Sequence, residues 1–74
     1  MSSEQSYEVV RRIGVISGKP GGNTKEVNVV RWGKGKPALD IRKWIGGKPG
    51  KGIVIRPDEM DAFLRLMENF VFEE

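Results

Sequence analysis

Seventy-four residues carrying a net charge of +3 describe one small domain, close to the size at which a single hydrophobic core barely suffices. The chain has no cysteine and no histidine. That excludes a disulfide framework and a thiolate metal site, and removes the side chain that most often serves as metal ligand or general base. Up to Arg56, twelve Lys/Arg stand against four Asp/Glu, a balance of +8; from Pro57 onward one Arg stands against six Asp/Glu, a balance of −5. A basic front and an acidic back direct a polyanionic partner to the front, and argue against a uniformly cationic surface that would coat a membrane.

Residues 1–6 are polar and expected to fray, leaving 7–74 as the folded domain. Residues 7–17 are rich in β-branched side chains and predict a long first strand. Val9/Val10 and Val15/Ile16 are apolar pairs that break strict alternation, and Gly14 suggests a bulge or bend, so no register is assigned. Residues 18–23 form a turn by content. The second strand, 25–32, places Val27, Val29 and Arg31 on one face and Asn28, Val30 and Trp32 on the other. This pattern alone leaves the buried face open. Residues 33–37 form a basic hairpin loop in which glycine supplies the positive φ of a tight turn.

The third strand, 38–45, is the informative one. Leu39, Ile41 and Ile45 share a face, while Asp40, Arg42 and Trp44 share the other. Lys43 falls on the apolar side and must snorkel or lie at a sheet edge. The expected arrangement buries the apolar face and turns a guanidinium beside an indole outward. Such a surface suits single-stranded nucleic acid, whose phosphates take the cation and whose bases stack on the ring. An ordinary strand whose Trp44 covers a neighbour produces the same pattern. Residues 46–50 read as a flexible connection and 51–55 as a short fourth strand.

Pro57 marks a helix start, with Asp58, Glu59 and Asp61 at the positive end of its dipole and Arg56 as a poor cap before it. Met60, Phe63, Leu64, Met67, Phe70 and Val71 recur at helical spacing, and Ala62, Leu66 and Phe70 continue a second apolar line. One helix on one sheet needs a single buried stripe. The wider apolar surface predicts a second helix against it, hence a homodimer whose interface includes Met60, Phe63, Leu64, Leu66, Met67 and Phe70. A helix sunk deeper into its own core is the alternative.

Catalytic readings fail on spacing. A phosphate-binding loop needs four residues between its first glycine and the Gly-Lys pair, then Ser or Thr. The stretches 14–19 and 46–51 each have three, followed by Pro20 and Gly52. Ser17 and Thr24 have no histidine to activate them, and Asp58, Glu59 and Asp61 are explained by the helix start. No enzyme activity and no cofactor are expected. The acidic start of the helix, with a lone Arg65, also excludes a recognition helix for duplex DNA.

Taken in order, four strands, Asp40-Ile41-Arg42 with Trp44 close behind, Lys51-Gly52-Ile53 and the Pro57 helix resemble the C-terminal domain of the transcriptional coactivator positive cofactor four, and more closely that family's small bacterial relatives. The likeness runs from about residue 25 to residue 70. It implies an α+β fold, a curved four-stranded antiparallel sheet followed by one C-terminal helix, and a dimer formed mainly through helices. It further implies that strands and loops meet single-stranded DNA, with Arg42 and Lys51 contacting backbone or bases. Arg31, Lys34 and Lys36 match basic positions around the family's second hairpin. The family often carries an aromatic residue within that hairpin, where this chain has Gly33, with Trp32 one residue early and able by parity to face the core. Trp44 stands where relatives carry aromatics at this or the next position.

The resulting expectation is a homodimer that binds single-stranded DNA with little sequence preference, supporting transcription, replication or repair. Arg31, Lys34, Lys36, Arg42 and Lys51 would neutralise phosphates, with Lys19, Lys48 and Arg11 at the margin. Trp44, and with it Trp32, would stack bases. RNA on the same face is one alternative. The other is a protein-interaction module whose apolar helix surface binds a partner from the transcription machinery while the basic face only provides solubility. No apolar run is long enough to span a membrane and the start lacks a signal-peptide core, so the expected location is the cytoplasm, at the nucleoid in a bacterium.

Overall fold

The computed structural model describes residues 6–73 of the chain. The fraying expected over 1–6 therefore lies outside the described residues, apart from Ser6, whose carbonyl accepts a hydrogen bond from the Gly33 amide at 2.7 Å. Four strands follow: β1 (Tyr7–Gly18), β2 (Thr24–Trp32), β3 (Ala38–Ile45) and β4 (Lys48–Ile55). A 3-10 turn (Pro57–Glu59) then leads into α1 (Met60–Glu68). The strands form one antiparallel sheet in the order β1-β2-β3-β4. This is the α+β arrangement the sequence predicts, an open antiparallel sheet followed by one helix.

The imperfect alternation of the first strand has a structural meaning. β1 spends twelve residues against the nine of β2, and register shifts between Val9/Arg11, Arg12/Gly14 and Val15/Ser17 absorb the difference. The extra residues are Val10, Ile13 and Ile16, while Gly14 sits in register opposite Val27. The irregularities therefore flank the glycine and do not fall on it.

The fourth strand begins earlier than expected. Gly46 and Gly47 have φ of 59° and 83°, the pair of positive values that a two-residue hairpin turn demands. The chain reverses within those two residues, so Lys48 already pairs with Ile45 and Pro49 with Trp44. Proline is tolerated here because β4 is an edge strand.

At the helix start, Glu59 does the work that Arg56 cannot do as a cap. Its carboxylate accepts the Arg56 amide at 2.9 Å, while its own amide donates to the Arg56 carbonyl at 2.8 Å. The helix ends sooner than its apolar periodicity. The Asn69 side chain donates to the Arg65 carbonyl, and the Phe70 amide closes a tight turn on the Met67 carbonyl at 3.1 Å. Phe70 and Val71, expected on the helical stripe, lie beyond it.

The parity of β3 is as expected: Ile41 lies opposite Val27, Asp40 opposite Asn28 and Arg42 opposite Glu26. Burial is the reverse of the expectation. Asn28, Val30, Ala38, Asp40 and Trp44 are all buried, and they share the face that was to be open. On the other face only Ile55, opposite Leu39, is buried; Val27, Val29, Leu39 and Ile41 are half-buried, and Ile45 and Ile53 are 53% and 58% exposed. Two causes combine. Tyr7, Trp32 and Trp44 all rise from the polar face and roof it with aromatic bulk. And, among the described residues, α1 packs mainly on the turn that leads into it, no helical residue is buried, and the isoleucine face stays largely uncovered.

Candidate nucleic-acid interface

Alternation along β2 and β3 sets the aromatic face. Trp32 on β2 and Asp40, Arg42 and Trp44 on β3 project to the same side, where Tyr7 of β1 joins them from its place opposite Trp32. The Arg42 guanidinium donates from Nε to Asp40 Oδ1 at 2.6 Å and from Nη2 to Oδ2 at 2.7 Å, a two-pronged pairing. Its Nη1 donates to the Gly50 carbonyl at 2.9 Å. Trp32 Nε1 donates to Asp40 Oδ2 at 3.1 Å, and the Arg42 guanidinium lies 4.7 Å from the Trp32 ring centroid. The Tyr7 ring stands 5.3 Å from Trp32 and 5.8 Å from Trp44.

This cluster needs a glycine opposite Arg42. A Cβ on Gly52 would sit 2.0 Å from Arg42 Cβ and 2.5 Å from the Ile41 carbonyl oxygen. The close approach of β4 lets the guanidinium reach across the hairpin to Gly50.

A second polar group lies beside the first. Glu26 accepts from Thr24 Oγ1 at 2.6 Å, from Asn28 Nδ2 at 3.3 Å and from Arg12 Nη1 at 3.4 Å. The Thr24 hydroxyl, more than the Asn28 amide or the Arg12 charge, holds its carboxyl below the ordinary glutamate value, against the opposing pull of desolvation. The aromatic face is thus nearly neutral, with Arg42 matched by Asp40 and Arg12 by Glu26.

The structure brings Trp32, Arg42 and Trp44 together but leaves them in different states. Trp32 is half-buried, the Arg42 side chain is 12% exposed, and Trp44 is 7% exposed. The expectation of an open Arg42 and Trp44 pair therefore gives way to a closed one, because Asp40 claims the guanidinium and the Tyr7 ring stands against the buried indole. The Trp44 Nε1 is buried without a partner among the described residues.

The other predicted residues fall elsewhere. Lys34 and Lys36 are exposed on the β2–β3 loop, and Lys48 is exposed at the opposite end of the sheet beside the Gly46–Gly47 turn. Lys51 borders the isoleucine face. None of these lysines has a carboxylate partner among the described residues. Arg31 does: it pairs with Glu8, its cross-strand neighbour on β1. Of the predicted interface residues, Met60 and Phe63 are half-buried, while Leu64, Leu66, Met67 and Phe70 are exposed.

Sequence reasoning missed Tyr7, Arg12, Glu26 and Asp40 as members of these networks. A usable signal existed: residues two apart on a strand share a face, which sets Asp40 beside Arg42 and Thr24, Glu26 and Asn28 in a row.

Among the described residues, no helix is long and apolar enough to cross a membrane. The family profile described as Transcriptional Coactivator p15 (PC4) matches residues 19–66, from the first turn through β2, β3 and β4 and most of α1. None of the curated proteins matches the chain significantly. The profile covers more than half of the sequence and the whole aromatic cluster except Tyr7, and its family is one of nucleic-acid-binding transcription coactivators with no enzymatic activity. The chain belongs to the transcriptional coactivator p15 (PC4) family.

Proposed function

We propose that this protein binds single-stranded DNA as a homodimer, with little sequence preference, in transcription, replication or repair. The observation that carries the reading is the placing of lysines with no carboxylate partner among the described residues at both ends of a sheet whose central face is aromatic and nearly neutral, Lys19, Lys34 and Lys36 in loops and Lys48 at the start of β4. Lys34 and Lys36 hold the backbone at one end, and Lys19 and Lys48 at the other. Loop cations that adjust suit the irregular phosphate path of a single strand. Between them Tyr7, 39% exposed, and the half-buried Trp32 are the rings within reach of a base, while the buried Trp44 supports Tyr7 from below. Arg42 serves by fixing Trp32, since its own charge is met by Asp40.

Dimerisation is supported by the uncovered apolar surface. Leu64 is 54% exposed, Leu66 68% and Phe70 53%, on a chain too small to leave them idle. The test is a fluorescence titration with short oligo-thymidine at several salt concentrations, alongside sedimentation. Binding should weaken with salt by about 0.7 log units per log unit for each phosphate neutralised, and Lys34→Ala/Lys36→Ala should lower that slope by about 1.4. Absence of binding at low salt would overturn the nucleic-acid reading and leave a protein-interaction role for the helix. Tighter binding of a matched RNA oligomer would move the function to RNA.

A further inference from the structure

The isoleucine face carries a cleft that the reading above does not use. It has a volume of about 800 Å³, with Ile41, Ile45 and Ile53 on its floor and Lys25, Lys43 and Lys51 on its rim. Lys25 and Lys43 are directly opposed across β2 and β3. Like charges in that relation destabilise a sheet. None of the three ammonium groups has a carboxylate partner among the described residues. An apolar floor under three unmatched cations calls for an occupant with apolar side chains next to carboxylates. Nucleic acid answers the charge only, since isoleucine offers a base no ring to stack on.

The chain itself contains such a segment. Residues 70–74 read Phe-Val-Phe-Glu-Glu, and Phe70, Val71 and Phe72 are 53%, 75% and 80% exposed. The two phenyl rings meet edge to face at 4.6 Å, forming a compact apolar knob ahead of the acidic pair. Among the described residues, nothing from α1 or from the segment after it lines the cleft of its own sheet.

We infer that residues 70–73 of a second copy dock in this cleft, seating Phe70 and Phe72 on Ile41, Ile45 and Ile53 and bringing Glu73 among Lys25, Lys43 and Lys51. The exchange is reciprocal, so each protomer supplies one segment and one cleft. It explains why a cross-strand lysine pair is tolerated, and why the acidic end of the chain is set apart from the basic sheet. The inference rests on the homodimer reading.

Sedimentation equilibrium of the full chain tests it, with circular dichroism to confirm folding. Lys43→Glu and Glu73→Lys should each weaken the dimer by roughly tenfold, and combining them should restore it. A cysteine pair, Lys43→Cys with Phe72→Cys, should give a covalent dimer on oxidation, which no native thiol complicates. Reversals that leave the dimer constant unchanged would overturn the inference while sparing the homodimer; a monomeric wild type would overturn both. An intrachain disulfide would assign the cleft to the protein's own segment, and loss of oligonucleotide binding with an intact dimer would assign it to nucleic acid. Either result refutes the exchange.

Discussion

Removing the Arg42 guanidinium should damage the fold before it damages any ligand contact. Asp40 is fully buried, and Arg42 supplies two of the three hydrogen bonds that satisfy its carboxylate. In Arg42→Met the aliphatic stem remains but the buried charge keeps only the Trp32 indole. Breaking a buried pair from one side costs about 3–5 kcal/mol, because an uncompensated charge is left in the interior. A domain of 74 residues has about 4–11 kcal/mol of stability in all, so the variant should lie near the edge of folding. Asp40→Asn/Arg42→Met should recover most of the loss, since the amide still accepts from Trp32 and no charge is stranded. Urea unfolding followed by tryptophan emission, at one fixed protein concentration, measures all three species. A cost below about 1 kcal/mol for Arg42→Met, or a double variant no better than the single one, would show that the pair is not what holds this face together.

Other perturbations address neighbouring features. Gly52→Ala should destabilise by about 1–3 kcal/mol or more in the same assay, because its Cβ would land 2.0 Å from that of Arg42 and the hairpin must open. Gly46→Asn should be neutral or raise the melting temperature, since asparagine accepts the positive φ of 59° and narrows the unfolded ensemble. The lowered pKa of Glu26 gives a signed pH effect. Its ionised form stabilises the fold above the ordinary glutamate pKa, and that contribution fades as pH falls through the depressed value. Thr24→Val removes the largest cause of the shift, so it should destabilise at neutral pH and differ less from wild type in acid, as read by urea midpoints across pH.

Ala38–Ile45 was legible to the residue, and β2 to within one, because alternating side chains bounded by glycine leave little choice. The start of β4 was hidden by Lys48-Pro49-Gly50, which locally resembles a loop; only the Gly46–Gly47 turn and the edge position make it a strand. The end of α1 was hidden because Phe70 and Val71 keep the helical period after Asn69 has diverted the Arg65 carbonyl. The choice of buried face was beyond a pattern of polarity. It depends on Tyr7, Trp32 and Trp44 meeting from three strands, and on Asp40 making Arg42 tolerable in a closed site. The ion pairs of Arg31 and Arg42, set against loop lysines that have no carboxylate partner among the described residues, could be read only from coordinates.

The extra residues of β1 have a consequence for how the outer edge of this sheet meets another strand. β1 is an outer strand of twelve residues that exposes Val10, Ile13, Val15 and Ile16. Such a strand would ordinarily template the addition of another chain, hydrogen bond by hydrogen bond. Each inserted residue resets the phase, so β1 is matched to β2 only in runs of three, two, two and two residues. A flat incoming strand would lose step after each run, and growth of a continuous sheet would stall at every reset. Deleting Val10, Ile13 and Ile16 together would straighten the edge, and the same irregularity that obscured the register in the sequence would then be missed as a barrier to fibril formation.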